Sequence, residues 1–354
     1  MYNNPNYDSY GSPAGGTGAP NPQEYTYIHG IGFSPLLTVM RERRAIRRCA
    51  NAIGVAFIVY IALSYTFPNV LTLLLSLTLP PFYHYYLPDN VYELISFATT
   101  IVAMGLPFLV YGFWIRIPPK KALPLRMPDF SIVIPAVFIC LGASAVASFG
   151  SGLIQNLLSY FGIYAAGNLG DLPTSSQSAT ILYLLNSTLV PALIEEFVFR
   201  GVIMQSLRRF GDSFAVIVSA VLFAAAHGNV IVFPLAFTFG LCMGYFVLRT
   251  GSLWTSILVH LLYNSMSIGF NELFGILSPE SASILDSGVV IIELLLALIS
   301  LIYLACTHPN MFTLKPAQTV LNDKARLKTF FTSGTIIAVL CILGFMAIAN
   351  LQIY

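Results

Sequence analysis

Charge is scarce in this chain: of 354 residues only 9% are Asp, Glu, Lys or Arg, while 56% are hydrophobic. A water-soluble core cannot bury that much apolar surface, which excludes an ordinary soluble domain and makes lipid part of the solvent. The formal net charge of +2 is too small to suggest a nucleic-acid partner. Cysteine is equally uninformative as chemistry. Cys49, Cys140, Cys242, Cys306 and Cys341 lie far apart, are odd in number and form no CxxC, so they read as buried thiols rather than as a disulfide framework or metal cluster. Three hydrolase signatures are missing as well. Without HExxH, GxSxG or GxGD, there is no sign of a zincin, a nucleophile elbow or an intramembrane aspartyl site.

What the chain does have is long apolar runs. They fall near 51–67, 91–115, 130–150, 178–200, 213–228, 231–248, 252–270, 289–306 and 331–352, and each is long enough to approach or complete a crossing. The fold class expected is an all-α polytopic membrane protein, a bundle of about eight to nine transmembrane helices with a buried polar site. Residues 213–248 as one helix would be about 54 Å long, so a helical hairpin broken at His227-Gly228-Asn229 is expected. The run 69–87 holds Pro80 and Pro81 and is flanked by Pro68 and Pro88, which argues for an interfacial or re-entrant piece. Residues 1–40 are rich in Asn, Gly, Pro, Ser and Tyr towards their start, and are expected to be a disordered cytoplasmic tail rather than a signal peptide. The transmembrane helical domain then covers 41–354.

Lys and Arg are grouped between the apolar runs. With the amino terminus inside and 69–87 not crossing, all 17 fall on or at the edge of the cytoplasmic side, as the positive-inside rule requires. A multi-pass protein of the cell membrane with a cytoplasmic amino terminus and an external carboxyl terminus is expected.

Against this apolar background, Glu195, Glu196 and Arg200 stand inside a run otherwise fit for a bilayer. Each charge there costs about 2.5–3.5 kcal/mol on insertion scales, so the group needs a partner, a wet cavity or a function. On a helix Glu196 and Arg200 share a face and can pair, whereas Glu195 points about 100° away. Glu196 and Arg200 therefore read as structural support, and Glu195 as a candidate general base. Two later runs carry His227, with Phe223 one turn before it, and the i, i+4 pair His260 and Asn264. One glutamate, two histidines and an asparagine suffice for hydrolysis: the carboxylate deprotonates water while imidazole and amide donors hold the oxyanion. The same Glu195, His227 and His260 could instead bind one divalent metal such as zinc, leaving a position for water. Residue types alone leave both open, together with a non-catalytic scaffold and an ion-coupled transporter. The transporter lacks the paired broken helices of inverted-repeat carriers.

EExxxR, FxxxH and HxxxN in this order, as Glu195-Glu196 with Arg200, Phe223 with His227 and His260 with Asn264, resemble the CPBP family of CAAX-protease and bacteriocin-processing membrane proteins, also called Abi. Phe199-Arg200-Gly201 and Thr250-Gly251-Ser252-Leu253 fit its wording too. The resemblance covers about residues 180–270, a catalytic core within the membrane domain. It implies an intramembrane endopeptidase similar to the type II CAAX prenyl endopeptidase, in which Glu195 and His227 activate water and His260 and Asn264 hold the oxyanion. The substrate implied is a membrane-associated or lipid-modified peptide or protein reached from the cytoplasmic side. A role in bacteriocin immunity is the non-catalytic alternative. Whether the reaction needs no cofactor or a metal is open in such proteins, although two histidines and an amide make a poor zinc set.

Overall fold

In lipid every backbone N–H and C=O has to find a partner within the protein, and long apolar runs do so as helices. The computed structural model describes residues 25–28, 32–78, 87–165, 172, 176–313 and 319–353. An antiparallel pair, β1 (Tyr25–Ile28) and β2 (Gly32–Pro35), precedes α1 (Leu36–Thr78). Helix α2 (Asp89–Thr99) continues through a π-helical stretch, Thr100–Gly105, into α3 (Leu106–Trp114). The single turn α4 (Pro119–Ala122), the long α5 (Phe130–Tyr160) and strand β3 (Ile163–Ala165) follow. Next come α6 (Gln177–Ser187), α7 (Leu189–Glu196), a second π-helical stretch, Phe197–Ile203, and α8 (Met204–Leu207), closed by the 3-10 turn Arg208–Phe210. The remaining helices are α9 (Asp212–Ala226), α10 (Phe233–Thr250), α11 (Leu253–Ile276), α12 (Pro279–Thr307), α13 (Asp323–Phe331) and α14 (Gly334–Ala349), and β4 (Leu351–Ile353) pairs antiparallel with β3.

Among the described residues, six helical segments are long and apolar enough to cross a membrane: 36–77, 89–114, 130–160, 177–210, 233–250 and 279–307. The pair α13 and α14, bent by 71°, raises the number to seven if it forms one span. Two expected spans fall outside this criterion for identifiable reasons. Helix α9 is apolar but only 15 residues long, and α11 is made more polar by His260, Asn264 and Asn271. The helical hairpin is present, with α9 and α10 joined by residues 227–232.

Two expectations are corrected. Pro68 does not break the chain: α1 runs through it to Thr78, and only 79–86 of the ambiguous 69–87 run lie outside the described residues. Prolines inside membrane helices are tolerated because packing, side chains and local adjustments of the turn can re-satisfy the freed backbone group. The cysteines are all free, but only Cys49 and Cys140 are buried, while Cys306 and Cys341 are exposed on the outer surface of the bundle. Arg200 is fully buried, and the adjacent Gly201 lies against the Ala122 carbonyl, next to Lys120 and Lys121. Of the tail, residues 1–24 and 29–31 lie outside the described residues, the short strands β1 and β2 are formed, and α1 already begins at Leu36.

The cationic clusters meet at one end of the bundle. Arg126 donates to the Thr250 carbonyl, Ser252 donates to that of Arg126, and Arg249 donates to those of Asn310 and Thr313. Arg326 donates to the Phe210 carbonyl, and Glu42 accepts from the amides of Val320 and Leu321 at 2.9 and 3.1 Å. At the opposite end Asn350 donates to the Gly228 carbonyl, and β3 meets β4. The segment Thr250-Gly251-Ser252-Leu253 is thus a docking turn, with the Leu253 amide bonded to the Pro124 carbonyl at 2.8 Å.

Gly201 marks the tightest approach of the second π-helical stretch to its surroundings. A Cβ there would come within 2.7 Å of the Ala122 carbonyl oxygen, a backbone atom that cannot swing aside. Gly201→Ala is therefore expected to destabilise the protein by about 1–3 kcal/mol, the usual cost of overpacking. A thermal unfolding midpoint equal to that of the unsubstituted protein would show that the two segments separate freely.

Candidate active site

Four elements carry the predicted residues. Glu195 and Glu196 end α7, Arg200 lies in the π-helical stretch behind them, Phe223 and His227 stand on α9 and at its C-terminus, and His260 and Asn264 lie on α11. The turn that presents His227 is made by Gly228, whose φ of +57° continues the chain in the left-handed region open to glycine. Asn229 then accepts from the amides of Ile231 and Val232, leading into α10.

Glu196 is the hub of the buried side. Its Oε1 accepts from Arg200 NH1 at 2.7 Å and from His260 Nδ1 at 3.0 Å, and all three side chains are at most 5% exposed. The pairing of Glu196 with Arg200 is as expected from their spacing; the bond from His260 is not, since the sequence reading places His260 at the oxyanion. A histidine that donates through Nδ1 to a carboxylate has only Nε2 left for other work. Arg200 also sits over the Phe223 ring, 4.1 Å from its centroid, a cation–π contact strengthened by the absence of water.

Phe223 separates the two histidines. Its ring lies edge-on to His227 at 4.8 Å, to His260 at 5.9 Å and to Phe199 at 5.2 Å. The phenylalanine of the FxxxH spacing thereby has a physical role, since it spaces the imidazoles and covers the guanidinium. His227 Nδ1 donates to the Phe223 carbonyl at 2.8 Å, because a carbonyl oxygen can only accept. In the neutral ring this leaves a lone pair on Nε2, the atom able to take a proton.

Glu195 faces away from this network, as the sequence suggests, into a cavity of about 70 Å³ lined by Tyr60, Met104, Glu195, Phe199, Ala226 and His227. At about 30 Å³ per water, it has room for about two. Glu195 and His227 therefore share one small cavity. His260 reaches their neighbourhood only across Phe223, and Asn264, half-buried one turn further along α11, does not line that cavity. The helix carrying Glu195 also runs further than expected. Its helical segment closes at Phe210, while His260, bonded to the neighbouring Glu196, lies eight residues, about 12 Å at 1.5 Å per residue, from Ser252 at the cationic end.

Sequence reasoning missed Tyr60 and Met104, which come from α1 and the first π-helical stretch, far outside the motif-bearing segment. A phenol within the aliphatic run 51–67 was the one available signal. It also missed the π register itself. Both π-helical stretches reach the cavity, through Met104 and Phe199, and Ser219 donates to the Phe199 carbonyl at 2.8 Å. Such stretches recur at functional sites because the wider turn re-aims side chains.

A metal does not fit what is assembled. Among the described residues no three His, Cys, Asp or Glu side chains gather closely enough to hold an ion. The set Glu195, His227 and His260 is divided by Phe223, with both Nδ1 atoms already committed.

Residues 177–266 match the family described as type II CAAX prenyl endopeptidase, Rce1-like. The membrane-embedded CAAX protease MroQ of Staphylococcus aureus (strain USA300) is 27% identical over 191 residues, which cover 52% of this chain and 72% of that protein. The putative membrane peptidase YdiL of Bacillus subtilis (strain 168) is 25% identical over 182 residues, 51% of this chain and 71% of that protein. No solved structure matches the chain significantly.

Proposed function

From a chain that belongs, through residues 177–266, to the Rce1-like type II CAAX prenyl endopeptidase family, we infer an intramembrane endopeptidase that cuts a membrane-associated or lipid-modified peptide or protein. The observation that carries this reading is the shared cavity of Glu195 and His227, contributed by two helices of the family segment. In the proposed reaction the Glu195 carboxylate removes a proton from a water held in the cavity, and that water adds to the scissile carbonyl. His227 Nε2 is the second acceptor that orients the water. His260 and Asn264 keep their proposed place as oxyanion donors, supported by their common face on α11. Because neither lines the cavity, this role requires α11 to shift towards it when substrate binds. Donor geometry in ligand-free enzymes is often loose before such closure.

The chain is proposed to cross the membrane eight to nine times, with α9 and α11 counted as further passes and the cationic end in the cytoplasm. The gathering of cationic clusters at one end supports that orientation. A substrate tail entering extended from that end has to reach about 12 Å, or about four residues at 3.3–3.6 Å each. No step is routed through a metal.

The test is hydrolysis by the purified full-length protein in lipid nanodiscs, using an internally quenched peptide that ends in a prenylated cysteine followed by two aliphatic residues and a terminal residue. Cleavage is expected, with a rate unchanged by a strong chelator, since the assembled donors do not form a metal site. An intact probe would overturn the substrate reading. Activity abolished by chelator and restored by zinc would overturn the metal-free mechanism.

A further inference from the structure

Helix α1 lies outside the family segment, yet it delivers a side chain to the cavity. Its buried face is anchored by Ile46, Ile53 and Phe57, all fully buried, and Phe57 packs edge-on against Phe108 at 5.0 Å and tilted against Phe199 at 6.1 Å. Tyr60 follows Phe57 by three residues and so stays on this face, its ring 6.2 Å from that of Phe57. Its phenol enters the cavity beside Glu195 and His227, within electrostatic reach of Glu195.

The hydrogen-bonding inventory of the lining gives Tyr60 its significance. Met104, Phe199 and Ala226 bring no polar side-chain atom. An ionised Glu195 only accepts, and a neutral His227 has already given its Nδ1 proton to the Phe223 carbonyl, leaving an accepting Nε2. As attack begins, the scissile carbonyl oxygen would therefore meet two acceptors and one side-chain donor, the Tyr60 hydroxyl, since the proton that Glu195 gains from water is the one it later gives to the departing amine. Ser64 is the phenol's other polar neighbour. Its own proton goes to the Tyr60 backbone carbonyl at 2.9 Å, so it offers the phenol a neutral acceptor, which a developing oxyanion outcompetes.

We propose that Tyr60 is a catalytic residue whose hydroxyl donates a hydrogen bond to the scissile carbonyl oxygen as that oxygen takes on negative charge. The proposal rests on the reading of Glu195 as the base. Glu195 takes a proton from water, the water oxygen bonds to the carbonyl carbon, and the π pair moves to the carbonyl oxygen, where Tyr60 donates without losing its proton. On collapse the C–N bond breaks, and the proton held by Glu195 passes to the departing amine.

The test compares Tyr60→Phe, Glu195→Gln and Tyr65→Phe in the nanodisc assay with the same quenched prenyl peptide. Tyr65 is 57% exposed on the same helix, so its variant controls for the loss of a phenol oxygen from α1. Tyr60→Phe is expected to lower kcat on the order of 10²-fold, at the lower end for loss of an oxyanion donor, with KM and unfolding midpoint nearly unchanged. Tyr65→Phe should retain the full rate. Full activity of Tyr60→Phe alongside an inactive Glu195→Gln overturns the role of Tyr60 and leaves the base in place. A raised KM at constant kcat, or a lowered midpoint that accounts for the loss, also overturns it by assigning Tyr60 to binding or packing. Full activity of Glu195→Gln overturns the underlying reading whatever Tyr60→Phe does, and a probe left intact by the unsubstituted protein overturns both.

Discussion

Glu195→Gln is expected to reduce peptide cleavage by about 10²- to 10⁴-fold, the range associated with loss of a general base, while expression and thermal stability stay close to those of the unsubstituted protein. The two adjacent glutamates make this a sharp comparison. Glu196 is fully buried and bonded to Arg200 and His260, whereas Glu195 forms no ion pair among the described residues and is directed into the cavity with His227. Glutamine preserves the size of the side chain and removes its ability to accept a proton from water. Because Glu195 holds nothing else in place, the loss should appear in kcat and not in folding. Turnover at the full rate by Glu195→Gln would remove the base from the mechanism and favour a site that only binds. The measurement needs kcat and the unfolding midpoint on the same preparation, since a loss of both would indicate a structural carboxylate.

The parts of this site legible in the sequence were those that carry a cost in lipid. Charged and imidazole side chains inside apolar runs stand out, and helical spacing was enough to pair Glu196 with Arg200 and to turn Glu195 away from them. The length of the 213–248 run likewise required the hairpin that presents His227. What the sequence hid depends on distance along the chain or on backbone register. The bond from His260 to Glu196 joins residues 64 apart, and Tyr60 reaches the cavity from a helix without any recognised motif. The π-helical register has no compositional mark, because a wider turn changes which carbonyl is bonded and not which residue is preferred. The span count was obscured for a related reason: the polar residues that make α11 part of the site are the ones that lower its hydropathy. Continuity of α1 through Pro68 shows the converse. A residue that breaks helices in water loses much of that force where the backbone has no water to turn to.

Arg200→Ala is expected to lower the unfolding free energy by about 3–5 kcal/mol, the usual penalty for removing one member of a buried ion pair. The guanidinium makes two contacts from one position: NH1 bonds Glu196 Oε1 at 2.7 Å, and the charged plane covers the Phe223 ring at 4.1 Å. Alanine would leave a fully buried carboxylate without its permanent cation, held by His260 with the Ser256 hydroxyl beside it. It would also open a void against the phenylalanine that spaces the two imidazoles. Activity should therefore fall together with stability, in contrast to Glu195→Gln, because the Phe223 ring also lies against His227. A double variant separates charge from packing. Arg200→Met with Glu196→Gln removes both charges while retaining most of the volume, and should be more stable than Arg200→Met alone, since replacing a whole buried pair costs less than stranding half of it. Equal unfolding midpoints for Arg200→Ala and the unsubstituted protein, measured in the same lipid, would show that Glu196 is neutral in the folded state and that the pair does not hold the site.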